Sequence, residues 1–258
     1  MDTDALLALL KDVAEEVINP RYRSLAQGEV HEKHPGDLVT VADHEAEELI
    51  TRALRAAYPD AVILGEEAHA DAPALLERYA AADHAFTVDP VDGTKNFVHG
   101  SPDHAVMVAE TRRGESVRAW IWQPQHELAY VAERGAGAYR NGERLVRPAP
   151  AAPLRGRTSR RSWVGRALGD LPALTLTWVS CGIDYPKLAE GETDYIVYRS
   201  TRPWDHAPGS LILTEAGGYA GALDGSTWRA DTITPPGLIA AADRQTYDTV
   251  WRQTRRAP

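Results

Sequence analysis

The sequence predicts a mixed α/β protein. Three observations carry this reading. Apolar residues recur at helical spacing near the N-terminus. Residues 104–145 break into short apolar runs separated by turn formers. From residue 174 onward, strand-like and helix-like runs alternate, which argues for an α/β layer.

The elements follow in order. Leu6, Leu9, Leu10, Val13 and Val17 form one face of a first helix, with Thr3 as its cap and Pro20 as its stop. A second helix follows Thr40 and buries Leu49, Ile50 and Leu54. Ala61–Leu64 and Ala85–Val88 are short apolar runs bounded by turn residues, and they read as buried strands. Ala105–Ala109, Val117–Trp122 and Leu128–Ala132 are further strands, and Asn141-Gly142 marks a hairpin. Residues 147–153 hold three prolines and three alanines and read as a linker between an N-terminal part, 1–146, and a C-terminal part, 154–258. Beyond it come a strand over 174–179, a helix over 183–189 and a strand over 195–198. A helix over 204–216, a strand over 238–241 and a final helix over 244–253 complete the chain.

Length and charge narrow the function. At 258 residues the chain fits one large domain or two modest ones. Its net charge of −9 disfavours nucleic acid and anionic membranes as partners. No apolar stretch approaches the ~20 residues of a membrane helix. A single cysteine, Cys181, excludes an internal disulfide and fits a reducing, cytoplasmic compartment. The basic run Arg155, Arg157, Arg160 and Arg161 reads as a solvated face, and His206 as a helix-surface residue.

Acidic residues gather at the ends of these elements: Asp43 after Thr40, Glu66-Glu67 after Gly65, Asp89 and Asp92 around Pro90-Val91, and Asp205 after Trp204. Carboxylates at strand ends stand where α/β proteins build ligand sites. Gly93-Thr94 then begins a helix whose free amides suit an anion. Carboxylates beside an anion site repel the anion unless cations intervene. Hard divalent ions, Mg²⁺ above all, resolve the conflict, so the positive charge is expected from metal rather than from Lys or Arg. Each cluster also has a plain structural reading. Thr40-x-x-Asp43 is a capping box, and Asp205 could cap the helix after it.

Taken together, Gly36-Asp37-Leu38-Val39-Thr40-Val41-Ala42-Asp43, Gly65-Glu66-Glu67, Asp89-Pro90-Val91-Asp92-Gly93-Thr94-Lys95-Asn96-Phe97, Pro203-Trp204-Asp205-His206-Ala207-Pro208-Gly209 and Glu215-Ala216-Gly217-Gly218 resemble the inositol monophosphatase family, in its order and spacing. The resemblance implies a layered α-β-α-β-α sandwich of the inositol monophosphatase/fructose-bisphosphatase type and a Mg²⁺-dependent, lithium-sensitive phosphomonoesterase. It implies two or three Mg²⁺ ions: one held by Glu66, Asp89 and the Val91 carbonyl, a second by Asp89, Asp92 and Asp205, and a weaker third leaning on Glu66. Thr94 and Asp43 would activate water, and the Gly93 and Thr94 amides would bind phosphate. Ser180 and Cys181 fall where the family lines its substrate pocket.

Tyr198, counted back from Asp205, stands where members acting on inositol phosphate often carry a polyol-gripping Glu. Lys95 replaces a common Thr, and Lys33 only loosely matches an upstream family lysine. The partner implied is a small phosphorylated substrate, and a homodimer follows by analogy. Inositol monophosphate, histidinol phosphate, a 3′-phosphoadenosine compound and fructose 1,6-bisphosphate all stay open as substrates. So does a regulatory binding role on the same fold.

Overall fold

A computed structural model describes residues 1–26, 28–34, 37–234 and 236–255; Gly36 of the first motif lies outside them. Helix α1 (Thr3–Val13) is capped by Asp2 rather than Thr3. Asp2 is extended and its carboxylate accepts from the Ala5 amide at 2.8 Å, whereas Thr3 is already helical. A π-turn (Ala14–Ile18) and a 3₁₀ turn (Asn19–Arg21) carry the chain past Pro20. Strands β1 (Val30–His34) and β2 (Asp37–Thr40) form an antiparallel hairpin. Helix α2 (Val41–Ala57) starts at the expected Thr40–Asp43 capping box.

The larger sheet follows. Its strands are β3 (Val62–Gly65), β4 (His84–Asp92), β5 (Ala105–Arg112), β6 (Glu115–Gln123), β7 (Leu128–Glu133), β8 (Gly137–Arg140) and β9 (Glu143–Leu145). They lie side by side in chain order. Only β3 and β4 are parallel, because helices α3 (Glu66–Asp71) and α4 (Leu75–Ala80) carry the chain back between them. The short helix α5 (Thr94–Val98) follows β4. Asn141 and Gly142 both take left-handed φ, 48° and 81°, and close the expected hairpin.

The smaller sheet has the order β11-β10-β12-β14-β13. It is built from β10 (Gly156–Thr158), β11 (Thr175–Leu176), β12 (Tyr195–Tyr198), β13 (Tyr219–Ala222) and β14 (Leu238–Ala241). The strand expected over 174–179 shrinks to two residues, because Val179 turns to φ 63° and the chain leaves the sheet as a loop. Helices α6 (Cys181–Ala189), α7 (Pro203–Glu215) and α8 (Arg244–Thr254) complete the fold.

Side-chain alternation along the strands sets the layers. Val106, Val108 and Trp120 face α1 and α2, packing on Leu6, Leu10, Ile50 and Leu54. The intervening Met107, Ala119 and Ile121 face Leu188, Leu211 and Ile212 of α6 and α7. Ile196, Tyr198, Leu238 and Ala240 of the smaller sheet close the far side of that same core. Val197, Ile239 and Ala241 turn the other way, onto Tyr247 and Val250 of α8. The layers therefore run α-β-α-β-α. Among the described residues, no helix is long and apolar enough to cross a membrane.

Residues 147–153 run between the sheets and are tied down. Buried Arg147 reaches Asp194 Oδ1 at 3.1 Å, and the Ala151 amide donates to the same oxygen at 3.0 Å. The basic run beside it is not simply solvated. Arg155 pairs with Asp194 at 2.9 Å, and Arg157 lies 3.6 Å over the Trp178 ring.

Candidate active site

The parallel register pairs Gly65 with Val88, so the next residues, Glu66 and Asp89, stand side by side where β3 ends and β4 runs on. Asp89 and Asp92 are three residues apart, which in a regular strand points side chains to opposite faces. A bulge lies between them: Asp89 faces Met107 while Asp92 faces Ala105. Three steps on β4 oppose two on β5, and the extra residue returns both carboxylates to one side. Pro90, with no amide to donate, sits where the ladder is already interrupted.

Asp92 points at the start of α6. It accepts from the Cys181 amide at 3.1 Å, the Gly182 amide at 2.7 Å and the Ser180 hydroxyl. Asp205 enters from the first turn of α7, whose N-cap is Arg202. It is therefore not the cap that its position before a helix suggested. Carboxylate oxygens of Asp89, Asp92 and Asp205 all lie within 4.8 Å of one another.

Such crowding is unfavourable without a counter-charge. Burial, then Glu66, Asp92 and Asp205, pushes the Asp89 carboxyl well above the ordinary range. Burial, then Glu66 and Asp92, does the same to Asp205. Burial raises Asp92 too, against the pull of its hydrogen bonds from Ser180 and the helix amides. Asp89 Oδ1 is buried with no hydrogen-bond partner. An orphaned carboxylate oxygen within an all-oxygen set fits a hard divalent cation. Glu66 stands at the edge of the trio, its Oε1 held by Lys33 Nζ at 2.8 Å; the same ammonium reaches Glu67 at 2.9 Å. The expectation that metal alone brings positive charge is thus corrected, since Lys33 and Arg202 share a cavity of about 360 Å³ with Glu66 and Asp205. The loose sequence match at Lys33 hid a residue at the site's edge, because a hairpin folds it in over a long chain separation.

Beside the trio, Gly93 takes φ 83° and starts α5. A side chain there would be strained and would meet Ser180 Cβ at 2.9 Å, so the turn is glycine's. The Thr94 hydroxyl lies 3.1 Å from Asp43 Oδ1 and 3.0 Å from the Val91 carbonyl. Asp43 Oδ2 accepts the Thr40 amide at 2.8 Å, so one carboxylate serves both the capping box and Thr94. Burial pushes the Asp43 carboxyl up to about 7, with the Thr40 bonds opposing.

A second cavity, about 290 Å³, opens on the other side of Asp205, lined among others by Arg161, Ser180, Cys181, Asp184, Tyr198 and His206. Ser180, Cys181 and Tyr198 are thus brought to one wall beside Asp92 and Asp205. The Tyr198 hydroxyl is turned onto Asp184 Oδ2 at 3.1 Å, and its ring stacks on Tyr185. His206 is buried rather than on a helix surface: α7 lies between two sheets, and His206 Nδ1 meets the Tyr185 hydroxyl at 2.9 Å. Lys95 is exposed. A larger hollow, about 720 Å³, lies between α1 and strands β7 and β8, but it shares no residue with the acidic trio.

The model of the inositol monophosphatase family matches residues 2–258. The chain belongs to the inositol monophosphatase family. It is 34% identical over 208 residues, 75% of each chain, to a Rhizobium meliloti protein named inositol-1-monophosphatase. It is also 34% identical over 218 residues, 76% of each chain, to a Pseudomonas aeruginosa protein named Nus factor SuhB. The fold superposes on the Thermotoga maritima IMPase at TM-score 0.82, with 26% identity over 98% of this chain and 96% of that one. An IMPase/NADP phosphatase solved with Mg²⁺ and phosphate shares the fold at TM-score 0.81 and 21% identity, over 97% and 93% of the two chains. Membership makes the chain a phosphoric monoester hydrolase of a Mg²⁺-dependent family, and its layers are those of the family fold.

Proposed function

We propose that this chain hydrolyses a small soluble phosphate monoester at the Asp89–Asp92–Asp205 trio. The observation that carries the reading is this carboxylate set, buried at Asp89 and Asp92 and half-buried at Asp205, with its orphaned oxygen, standing beside a Thr94–Asp43 pair at a helix start. Asp89, Asp92 and Asp205 would hold one Mg²⁺, and Glu66, Asp89 and the Val91 carbonyl another, with a third, weaker ion at Glu66. When bound, Mg²⁺ supplies positive charge for the phosphoryl oxygens and makes water acidic enough to attack near neutral pH.

The chain's own groups do the rest. The Gly93 and Thr94 amides face the phosphate at the start of α5. Thr94 orients the attacking water through its hydroxyl. Asp43 receives the water proton by way of that hydroxyl as the water oxygen bonds to phosphorus. The P–O ester bond breaks, the departing alkoxide oxygen takes a proton from solvent water, and the resulting alcohol leaves into the cavity walled by Ser180, Cys181 and Tyr198, while Asp43 returns its proton to solvent. No covalent enzyme intermediate is needed, so Cys181 has no nucleophilic task.

Tyr198 offers no carboxylate to polyol hydroxyls, and its own hydroxyl is engaged by Asp184. Inositol 1-phosphate is therefore accepted without strong preference over other small monoesters. The same reading includes inhibition by Li⁺ and by excess Mg²⁺, a homodimer and a cytoplasmic setting. The test is phosphate release with inositol 1-phosphate, histidinol phosphate, a 3′-phosphoadenosine compound and fructose 1,6-bisphosphate, with Mg²⁺ and with EDTA. Turnover that EDTA abolishes supports the reading; release indifferent to EDTA contradicts it. The relatives named Nus factor SuhB favour a second role, regulatory binding on the same fold. Absence of turnover on any phosphate monoester would favour that role over hydrolysis.

A further inference from the structure

Helix α3 begins without a side-chain cap of its own. Its N-cap is Gly65, which has no side chain to accept from the first turn. Yet the amides that a cap would normally serve are satisfied. Glu67 N donates to Glu47 Oε2 and Ala68 N to Glu47 Oε1, each at 2.8 Å. Glu47 comes from α2, 20 residues earlier, and is 6% exposed. It stands one helical turn after Asp43, so the two carboxylates share a face. Asp43 closes the start of α2 and reaches Thr94, while Glu47 closes the start of α3. Gly65 makes room for this: a Cβ there would stand 2.2 Å from the Glu47 carboxyl carbon and 2.3 Å from its Oε1.

An isolated six-residue helix cannot hold its own first turn, since helices this short are marginal in water. Something else must fix Glu66, the first residue of α3, beside Asp89. Lys33 holds the Glu66 and Glu67 side chains from above, and Glu47 holds the backbone that carries them.

We propose that Glu47 is a positioning residue of the metal centre. Its carboxylate, seated in the space left by Gly65, clamps the first turn of α3 and thereby sets where the Glu66 carboxylate stands. The inference rests on the reading that Glu66 is a Mg²⁺ ligand. Partners one step behind a ligand typically change metal affinity by about 10–100-fold when lost. Glutamine keeps the size of Glu47 but offers one acceptor oxygen, so one of the two amides meets an NH₂ group instead.

The test is calorimetric titration of the metal-free full chain with Mg²⁺, alongside the Mg²⁺ half-saturation of turnover and thermal melting. Glu47→Gln is expected to weaken Mg²⁺ binding at least tenfold while kcat at saturating Mg²⁺ stays within about threefold. Gly65→Ala, which displaces the carboxylate instead of removing it, is expected to weaken binding in the same direction. Glu48→Gln, on an exposed neighbour, should leave binding unchanged. In the background of Glu66→Gln, Glu47→Gln should cost nothing further, because the residue through which it acts is already gone. A Glu47→Gln protein that melts lower but binds Mg²⁺ like wild type would overturn the proposal, as would a loss additive with that of Glu66→Gln. Wild type that takes up no Mg²⁺ would overturn the metal reading itself, a separate and recognisable failure.

Discussion

The Thr94 hydroxyl lies 3.1 Å from Oδ1 of Asp43, a residue 51 positions earlier in the chain, and 3.0 Å from the Val91 carbonyl oxygen. Its single proton serves one of these acceptors at a time, which leaves its oxygen free to accept from a water. Thr94→Ala should therefore lower kcat by about 10²-fold, within the ordinary range for a lost proton-handling group. Thr94→Ser, which keeps the hydroxyl, should stay within about tenfold of wild type. Initial rates at saturating Mg²⁺, with melting curves to show that both variants fold, check this. Equal rates for the alanine and serine variants would contradict it.

Asp194 is the hub of the segment that joins the two sheets. Burial alone would raise its carboxyl, but the Arg155 guanidinium and amide, the Ala151 amide and Arg147 outweigh burial and hold it down to about 2. Because the folded value lies below the unfolded one, the stabilisation is present above about pH 4 and is lost as pH falls through about 2. A shift of nearly two units corresponds to about 2.5 kcal/mol. Asp194→Asn should cost at least that in urea unfolding at pH 7, and much less near pH 2. A cost that does not change with pH would contradict the assignment.

Asp184 behaves in the opposite sense. Burial pushes its carboxyl up to about 8, although the Trp178 amide at 2.8 Å and the Tyr198 hydroxyl favour the charged form. With the folded value above the unfolded one, stability is highest below about pH 4 and is lost as pH rises through about 8. Asp184→Asn removes that loss. Its melting temperature should rise relative to wild type more at pH 8 than at pH 5, and scanning calorimetry at the two values decides it. A difference that is the same at both would mean that Asp184 does not titrate in this range.

Substrate choice follows from Tyr198. A phenol already bonded to Asp184 cannot provide the charge-assisted grip on ring hydroxyls that a carboxylate provides, worth roughly 1.5–3 kcal/mol. The ratio of kcat/KM for inositol 1-phosphate over glycerol 2-phosphate should be below about a hundredfold. A larger ratio would show that another residue reads the ring.

Much of this was legible in the sequence, for identifiable reasons. Strands 195–198 and 238–241 match observation to the residue, because both are short apolar runs, the first set between Asp194 and Arg199 and the second following Pro236-Gly237. The capping box at Thr40 and the Asn141-Gly142 turn are local chemistry, readable from adjacent residues. What failed was non-local. Strands β10 and β13 are three- and four-residue elements defined by their partners rather than by their own pattern. His206 was misplaced because α7 is buried on more than one side, which no helical periodicity reveals. Lys33 and Glu47 reach the site through folding alone, and neither carries a motif of its own. Their place at the ends of elements singled out Asp89, Asp92 and Asp205 as acidic residues of interest, and the family resemblance assigned them to one metal set.

The most direct measurement concerns Asp89, which stands between the other carboxylates with an unpartnered oxygen. Mg²⁺ binding by calorimetry, phosphate release and thermal melting should be compared for wild type and Asp89→Asn. Mg²⁺ binding should weaken sharply and kcat should fall by at least about 10²–10³-fold, the usual cost of one lost electrostatic element. Melting without metal should be unchanged or higher, because a buried, repelled charge has been removed. A variant that keeps Mg²⁺ affinity and activity within tenfold of wild type would contradict the central claim that this trio is the metal-dependent phosphatase site.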